Sequence, residues 1–68
     1  MQTSTQPKRF LRIASVIERT GMSKPTIYQM IQKGRFPASI KHGPRLAFWL
    51  EHEVDAWIDE RVRASRGQ

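Results

Sequence analysis

Apolar stripes at helical spacing flank Gly21. A turn at His42-Gly43-Pro44-Arg45 separates two short apolar runs, and an amphipathic segment follows from Glu51. Together these predict a mainly α fold with a small β-hairpin, a winged helix-turn-helix of three helices. Residues 1–8 read as a disordered arm, 9–63 as the folded domain and 64–68 as a frayed tail.

Met1 to Pro7 is polar and lacks periodicity. Arg9-Phe10-Leu11-Arg12-Ile13 fits either one short strand or an extended lead-in that drops Phe10, Leu11 or Ile13 into the core. Ala14 to Arg19 reads as the first helix, with Ala14, Val16 and Ile17 inward and Ser15 either capping it or facing solvent. So short a helix depends on packing against its neighbour. Ile17 lies four residues before Gly21 and Ile27 six after it. Those are the places where two crossing helices need apolar contact and a permissive turn.

Thr20 to Gly34 reads as the turn and the second helix. Gly21 supplies positive φ without strain, Ser23 is a good N-cap, and Pro25 falls in the first turn, where its missing N–H does little harm. Ile27, Met30 and Ile31 form one buried stripe, and Gly34 closes the helix in the left-handed region. The opposite face carries Lys24, Thr26, Tyr28, Gln29, Gln32 and Lys33, with no acidic residue. Nothing there repels phosphate, the helix N-terminus adds a positive dipole end, and Thr26, Tyr28 and Gln29 can hydrogen-bond to base edges.

Pro37 stops the helix from continuing. Ile40, Leu46 and Phe48 then flank the turn, so residues 40–48 read as a hairpin with a basic tip. A hairpin directly after such a helix is a wing, and its Arg45, Lys41 and His42 can reach phosphate or the minor groove. His42 reads equally as a loop residue of no consequence. The last helix runs from Glu51 to about Arg63, with Val54, Trp57, Ile58, Arg61 and Val62 at helical spacing. Glu51, Glu53 and Asp55 suit its N-terminal dipole. Trp49 and Trp57 read as core residues covering the hairpin, in preference to base-stacking platforms.

Composition narrows the function. Sixty-eight residues make one domain, burying roughly 60% of the unfolded surface, with little room for an enclosed active site. Cysteine is absent, which fits a reducing cytoplasm. No apolar run approaches the roughly 18 residues of a membrane span, and no apolar signal-peptide core follows Met1. The net charge is +6, with residues 1–45 at +8 and residues 46–68 at −2. A basic body with an acidic segment suggests a polyanion partner. His42 and His52 are the only imidazoles, and neither nucleophile–base spacing nor a phosphate-cradling glycine loop occurs. The chain therefore reads as a binding module with no cofactor and no metal site, and as no enzyme.

Thr20-Gly21-Met22-Ser23, Thr26-Ile27-Tyr28, Gly34-Arg35-Phe36-Pro37, Trp49 and Glu53-Val54-Asp55-Ala56-Trp57-Ile58 resemble the AlpA-type phage and prophage regulators. These are related to excisionases and MerR-like winged helices. The resemblance covers about residues 9–62. It implies a small bacterial DNA-binding transcriptional regulator, often a positive one, with the Ser23-to-Lys33 helix in the major groove and the hairpin as wing. One departure is Glu51-His52 ahead of Glu53, where Ser or Asp would cap the last helix better.

The candidate DNA-binding set is therefore Ser23, Lys24, Pro25, Thr26, Tyr28, Gln29, Gln32, Lys33, Arg35, Lys41, His42 and Arg45. Lys24, Lys33, Arg35 and Arg45 would position the protein on phosphates, while Thr26, Tyr28 and Gln29 read bases. Lys8, Arg9 and Arg12 are further phosphate candidates. Three readings follow: a sequence-specific regulator, an architectural excision factor working beside an integrase, and a protein-binding module whose acidic face (Glu51, Asp55, Asp59, Glu60) touches RNA polymerase or another partner. The expected partner is double-stranded DNA in the cytoplasm, at the nucleoid, bound by several copies of a monomer or weak dimer.

Overall fold

A computed structural model describes residues 9–67 of the chain. The expected disordered arm over residues 1–8 lies outside the described residues. The elements run β1 (Phe10–Leu11), α1 (Ile13–Thr20), α2 (Lys24–Gln32), β2 (Ile40–His42), β3 (Leu46–Leu50) and α3 (Glu51–Ser65). The mainly helical fold with a hairpin is the one the sequence predicts. The sheet is larger than a hairpin, because β1 joins it as a third antiparallel strand in the order β1-β3-β2. Phe10 stands opposite Leu50 and Leu11 opposite Trp49.

The core draws one buried side chain from each element except β2: Leu11, Val16, Ile27, Trp49 and Val54, together with Phe36 from the connecting segment. Burying each contributes roughly 1.5–3 kcal/mol. Trp49 is fully buried, and its indole N–H donates to the Pro37 carbonyl at 3.1 Å. Trp57 packs edge-on to Phe36 and donates to the Arg35 carbonyl at 2.7 Å. The two tryptophans thus fasten the Arg35–Pro37 segment, which joins α2 to the hairpin. A buried indole N–H needs such a partner.

The two helices of the motif end differently. The Gly21 N–H donates to the Ile17 carbonyl at 2.8 Å with φ of 74°, a single left-handed cap. At the end of α2 the Arg35 N–H donates to Met30 and the Gly34 N–H to Ile31, the paired bonds of a Schellman motif, with Gly34 at φ of 71°. The start of α2 is capped by Ser23, whose hydroxyl accepts from the Thr26 N–H.

Several expectations are corrected. Helix α1 begins at Ile13, so Ile13 and Ile17 flank buried Val16 while Ala14 is exposed. Three aliphatic side chains on one stripe bury more than Ala14 would. Ser15 does not cap this helix, because Arg12 is the N-cap residue and its carbonyl accepts from Ser15 and Val16. The turn of the hairpin is Gly43 to Arg45, with His42 inside β2, and β3 continues past Phe48 to Leu50.

In α3 the inward stripe ends at Ile58, and Arg61 and Val62 are exposed among the described residues. The helix also runs two residues beyond Arg63, to Ser65. The weak N-cap has a structural answer. Leu50 makes no side-chain cap, yet the Glu51 N–H donates to the Arg9 carbonyl at 2.8 Å, so the residue just before β1 satisfies a donor the helix would leave orphaned.

Candidate nucleic-acid interface

Ile27 is fully buried, with Met30 and Ile31 partly so, which turns the other side of α2 outward. Lys24, Pro25, Thr26, Gln29, Gln32 and Lys33 are all exposed. The first turn of α2 carries no acidic residue. No Asp or Glu occurs anywhere from Arg19 to Leu50, so turn, helix and wing form one carboxylate-free run. Arg35 leaves the helix in the direction the Schellman bonds set, with its side chain exposed.

The hairpin follows with Lys41 opposite Ala47 and His42 opposite Leu46. Adjacent strand residues point to opposite faces, so these two candidates flank the ribbon. Lys41, His42 and Arg45 are exposed. Gly43 turns the chain at φ of 79°, which leaves Arg45 in the tip.

Two members of the expected set have other duties. Tyr28 is partly buried, and its ring meets Trp49 edge-on at 6.1 Å between centroids. Part of its surface therefore belongs to the core. The Ser23 hydroxyl lies 2.9 Å from the Thr26 hydroxyl and also holds the cap, so Ser23 serves the helix end first.

The structure also pairs residues that the sequence left apart. The Arg19 guanidinium bridges Glu51 and Asp55, the latter at 2.8 Å, and ties α1 to α3. Arg9 approaches Glu51 at 3.8 Å. Arg12 lies over the Phe48 ring at 5.8 Å. Separations of 32 and 36 residues give no local pattern from which the Arg19 bridge could be read. The expected acidic face is thereby split, with Glu51 and Asp55 engaged internally and Asp59 and Glu60 left exposed. Lys8 lies outside the described residues.

Among the described residues, no cluster of three or more His, Asp or Glu side chains is arranged to hold a metal ion, and no helix is long and apolar enough to cross a membrane. What the arrangement offers is a convex helix and a ribbon, both lined by cations and hydrogen-bonding groups. Such a surface binds by matching charge and shape.

Residues 9–62 match the family described as the prophage CP4-57 regulatory protein (AlpA). The chain is 42% identical over 55 residues to a protein of Enterobacteria phage P4 named uncharacterized protein ORF88, a match covering 81% of this chain and 62% of that one. The chain thus spans less than two thirds of that relative's length. It is 33% identical over 61 residues to the DNA-binding transcriptional activator AlpA of Escherichia coli K12, covering 81% of this chain and 87% of the relative. No solved structure matches.

Proposed function

The chain belongs to the AlpA family of prophage regulatory proteins, and on that premise we propose that it is a sequence-specific double-stranded DNA-binding regulator of phage or prophage genes. The observation that carries this reading is the outward face of α2, exposed and free of carboxylates, followed without a break by exposed Arg35 and the cationic wing. The relative named as a DNA-binding transcriptional activator supports both the partner and the positive sign of control.

In this reading α2 lies in the major groove, whose width of about 12 Å admits one helix. Lys24, Lys33, Arg35 and Arg45 meet phosphates and fix the register. Thr26, Gln29 and Gln32, with the Tyr28 hydroxyl at their edge, face the bases. Arg45, Lys41 and His42 carry the wing along the backbone or into the minor groove. A nine-residue helix is about 13 Å long, enough for about four base pairs. So short a word is too common to specify a promoter, so several copies occupy paired or tandem sites.

The protein acts in the cytoplasm, at the nucleoid, by binding and not by catalysis. Activation then runs through contact with RNA polymerase, for which Asp59 and Glu60 are the carboxylates of the acidic face outside the Arg19 bridge. An excision factor beside an integrase would use the same DNA contacts, and a requirement for integrase would identify it.

Footprinting on DNA flanking the protein's own gene tests the proposal. The expected result is protection of a short repeated motif, lost when Gln29 and Arg45 are both replaced by Ala. Uniform protection of all sequences, or none, overturns it.

A further inference from the structure

The backbone of Arg35 is held at both of its polar groups. Its N–H donates to the Met30 carbonyl at 2.8 Å, which ties it to α2, and its carbonyl accepts from the Trp57 indole at 2.7 Å, which ties it to α3. Gly34, at φ of 71°, turns the chain into this joint, and the wing begins five residues beyond Arg35, at Ile40. The chain leaves α2 for the wing through Arg35, and one side chain of α3 fixes the direction in which it leaves.

The two indole bonds to this connector answer to different needs. Trp49 is fully buried, so its N–H must find an acceptor inside the protein, and the Pro37 carbonyl is that acceptor. Trp57 is only partly buried, and its hydrogen bond is exposed. Its N–H could bond to water at little cost, so burial does not force it onto Arg35. The ring already packs edge-on to Phe36 at 4.9 Å, and Phe36 belongs to the core. What the N–H adds to that packing is direction, because it sets the plane of the peptide between Arg35 and Phe36. The wing beyond inherits that setting.

We propose that Trp57 is a positioning residue for DNA binding. It holds the wing at the angle to α2 that lets both engage one duplex, and it does not touch the DNA. The inference rests on the DNA-binding reading and adds to it a residue outside the contact surface. A wing set before contact keeps the affinity that a wing spending time in other orientations would lose. One hydrogen bond favours its own geometry by about fivefold, so the N–H contributes a few-fold to affinity.

Two variants remove the N–H. Trp57→Phe keeps an aromatic ring against Phe36, and a synthetic chain with benzothienylalanine at position 57 keeps the whole bicycle with sulfur in place of the N–H. Each is combined with Arg45→Ala in a double-mutant cycle, read as affinity for a duplex carrying the footprinted motif. Each Trp57 variant is expected to weaken binding by about threefold and to cut the Arg45→Ala penalty to about half or less of its value in wild type. A loss of stability alone removes the same fraction of competent chain with or without Arg45, so it does not produce that coupling. In the free protein, amide order parameters over residues 40–46 should fall in both variants while those of α2 stay as they are. An Arg45→Ala penalty of equal size in every background overturns the inference and leaves the DNA-binding reading standing, and so does a wing as ordered in the variants as in wild type. A wild-type chain that ignores duplex DNA overturns both.

Discussion

Replacing Arg45 with Ala removes one cation from the tip of the wing and nothing from the core, since Arg45 is fully outside it. The proposed interface holds four exposed phosphate-directed cations, Lys24, Lys33, Arg35 and Arg45. Each phosphate neutralised contributes about −0.9 to the slope of log K against log salt, so four give a slope of about −3.6. Raising salt from about 50 to about 200 mM then weakens wild-type binding by about 150-fold. The Arg45→Ala variant retains three contacts, a slope of about −2.7 and a loss of about 40-fold over the same range. Fluorescence anisotropy on a cognate and a scrambled duplex, each at several salt concentrations, measures both slopes. The variant should weaken on the two duplexes alike, because phosphates carry no sequence. A slope equal to wild type would refute the reasoning, since the wing would then stand clear of the backbone.

Other substitutions separate the roles of neighbouring side chains. Gln29→Ala should leave the salt slope unchanged while cutting the preference for cognate over scrambled DNA by about 1–3 kcal/mol, read in the same titrations. Arg19→Ala should leave DNA affinity near wild type and lower stability by at most about 1 kcal/mol, because the pairs it makes with Glu51 and Asp55 are partly exposed. For a domain of this size that is a fall in Tm of a few degrees, visible by calorimetry. Gly34→Ala places a side chain at φ of 71° with no neighbour within 4 Å, so its cost is conformational, about 1–2 kcal/mol, measurable in urea.

The motif that organises the chain was readable because its signals are local. Ser23 caps within three residues, Ile27 and Ile31 repeat within one turn, and Gly34 ends the helix that Pro37 forbids to continue. The hairpin was readable for the same reason, through Gly43-Pro44 between short apolar runs. Three features depend on residues far apart and left no such trace. Strand β1 finds its partner at Leu50 and Trp49, almost forty positions away. Tyr28 looks polar-facing by its place in the helix, yet the arrival of Trp49 half buries it. In the sequence the arginine that holds α1 to α3 reads as part of a cationic body, and Glu51 and Asp55 as part of an acidic surface; only the fold brings them together. The end of α3 departs from its sequence pattern in another way. Helical spacing continues through Val62, but among the described residues burial along that stripe stops at Ile58.

The most direct measurement of the central claim is chemical-shift mapping of the isotope-labelled chain with a cognate duplex. The largest perturbations should fall on Lys24, Thr26, Gln29, Gln32, Lys33, Arg35 and Arg45, with Asp59 to Ser65 of α3 unmoved. Shifts gathered on α3 or on Phe10 and Phe48, with α2 silent, would contradict the account.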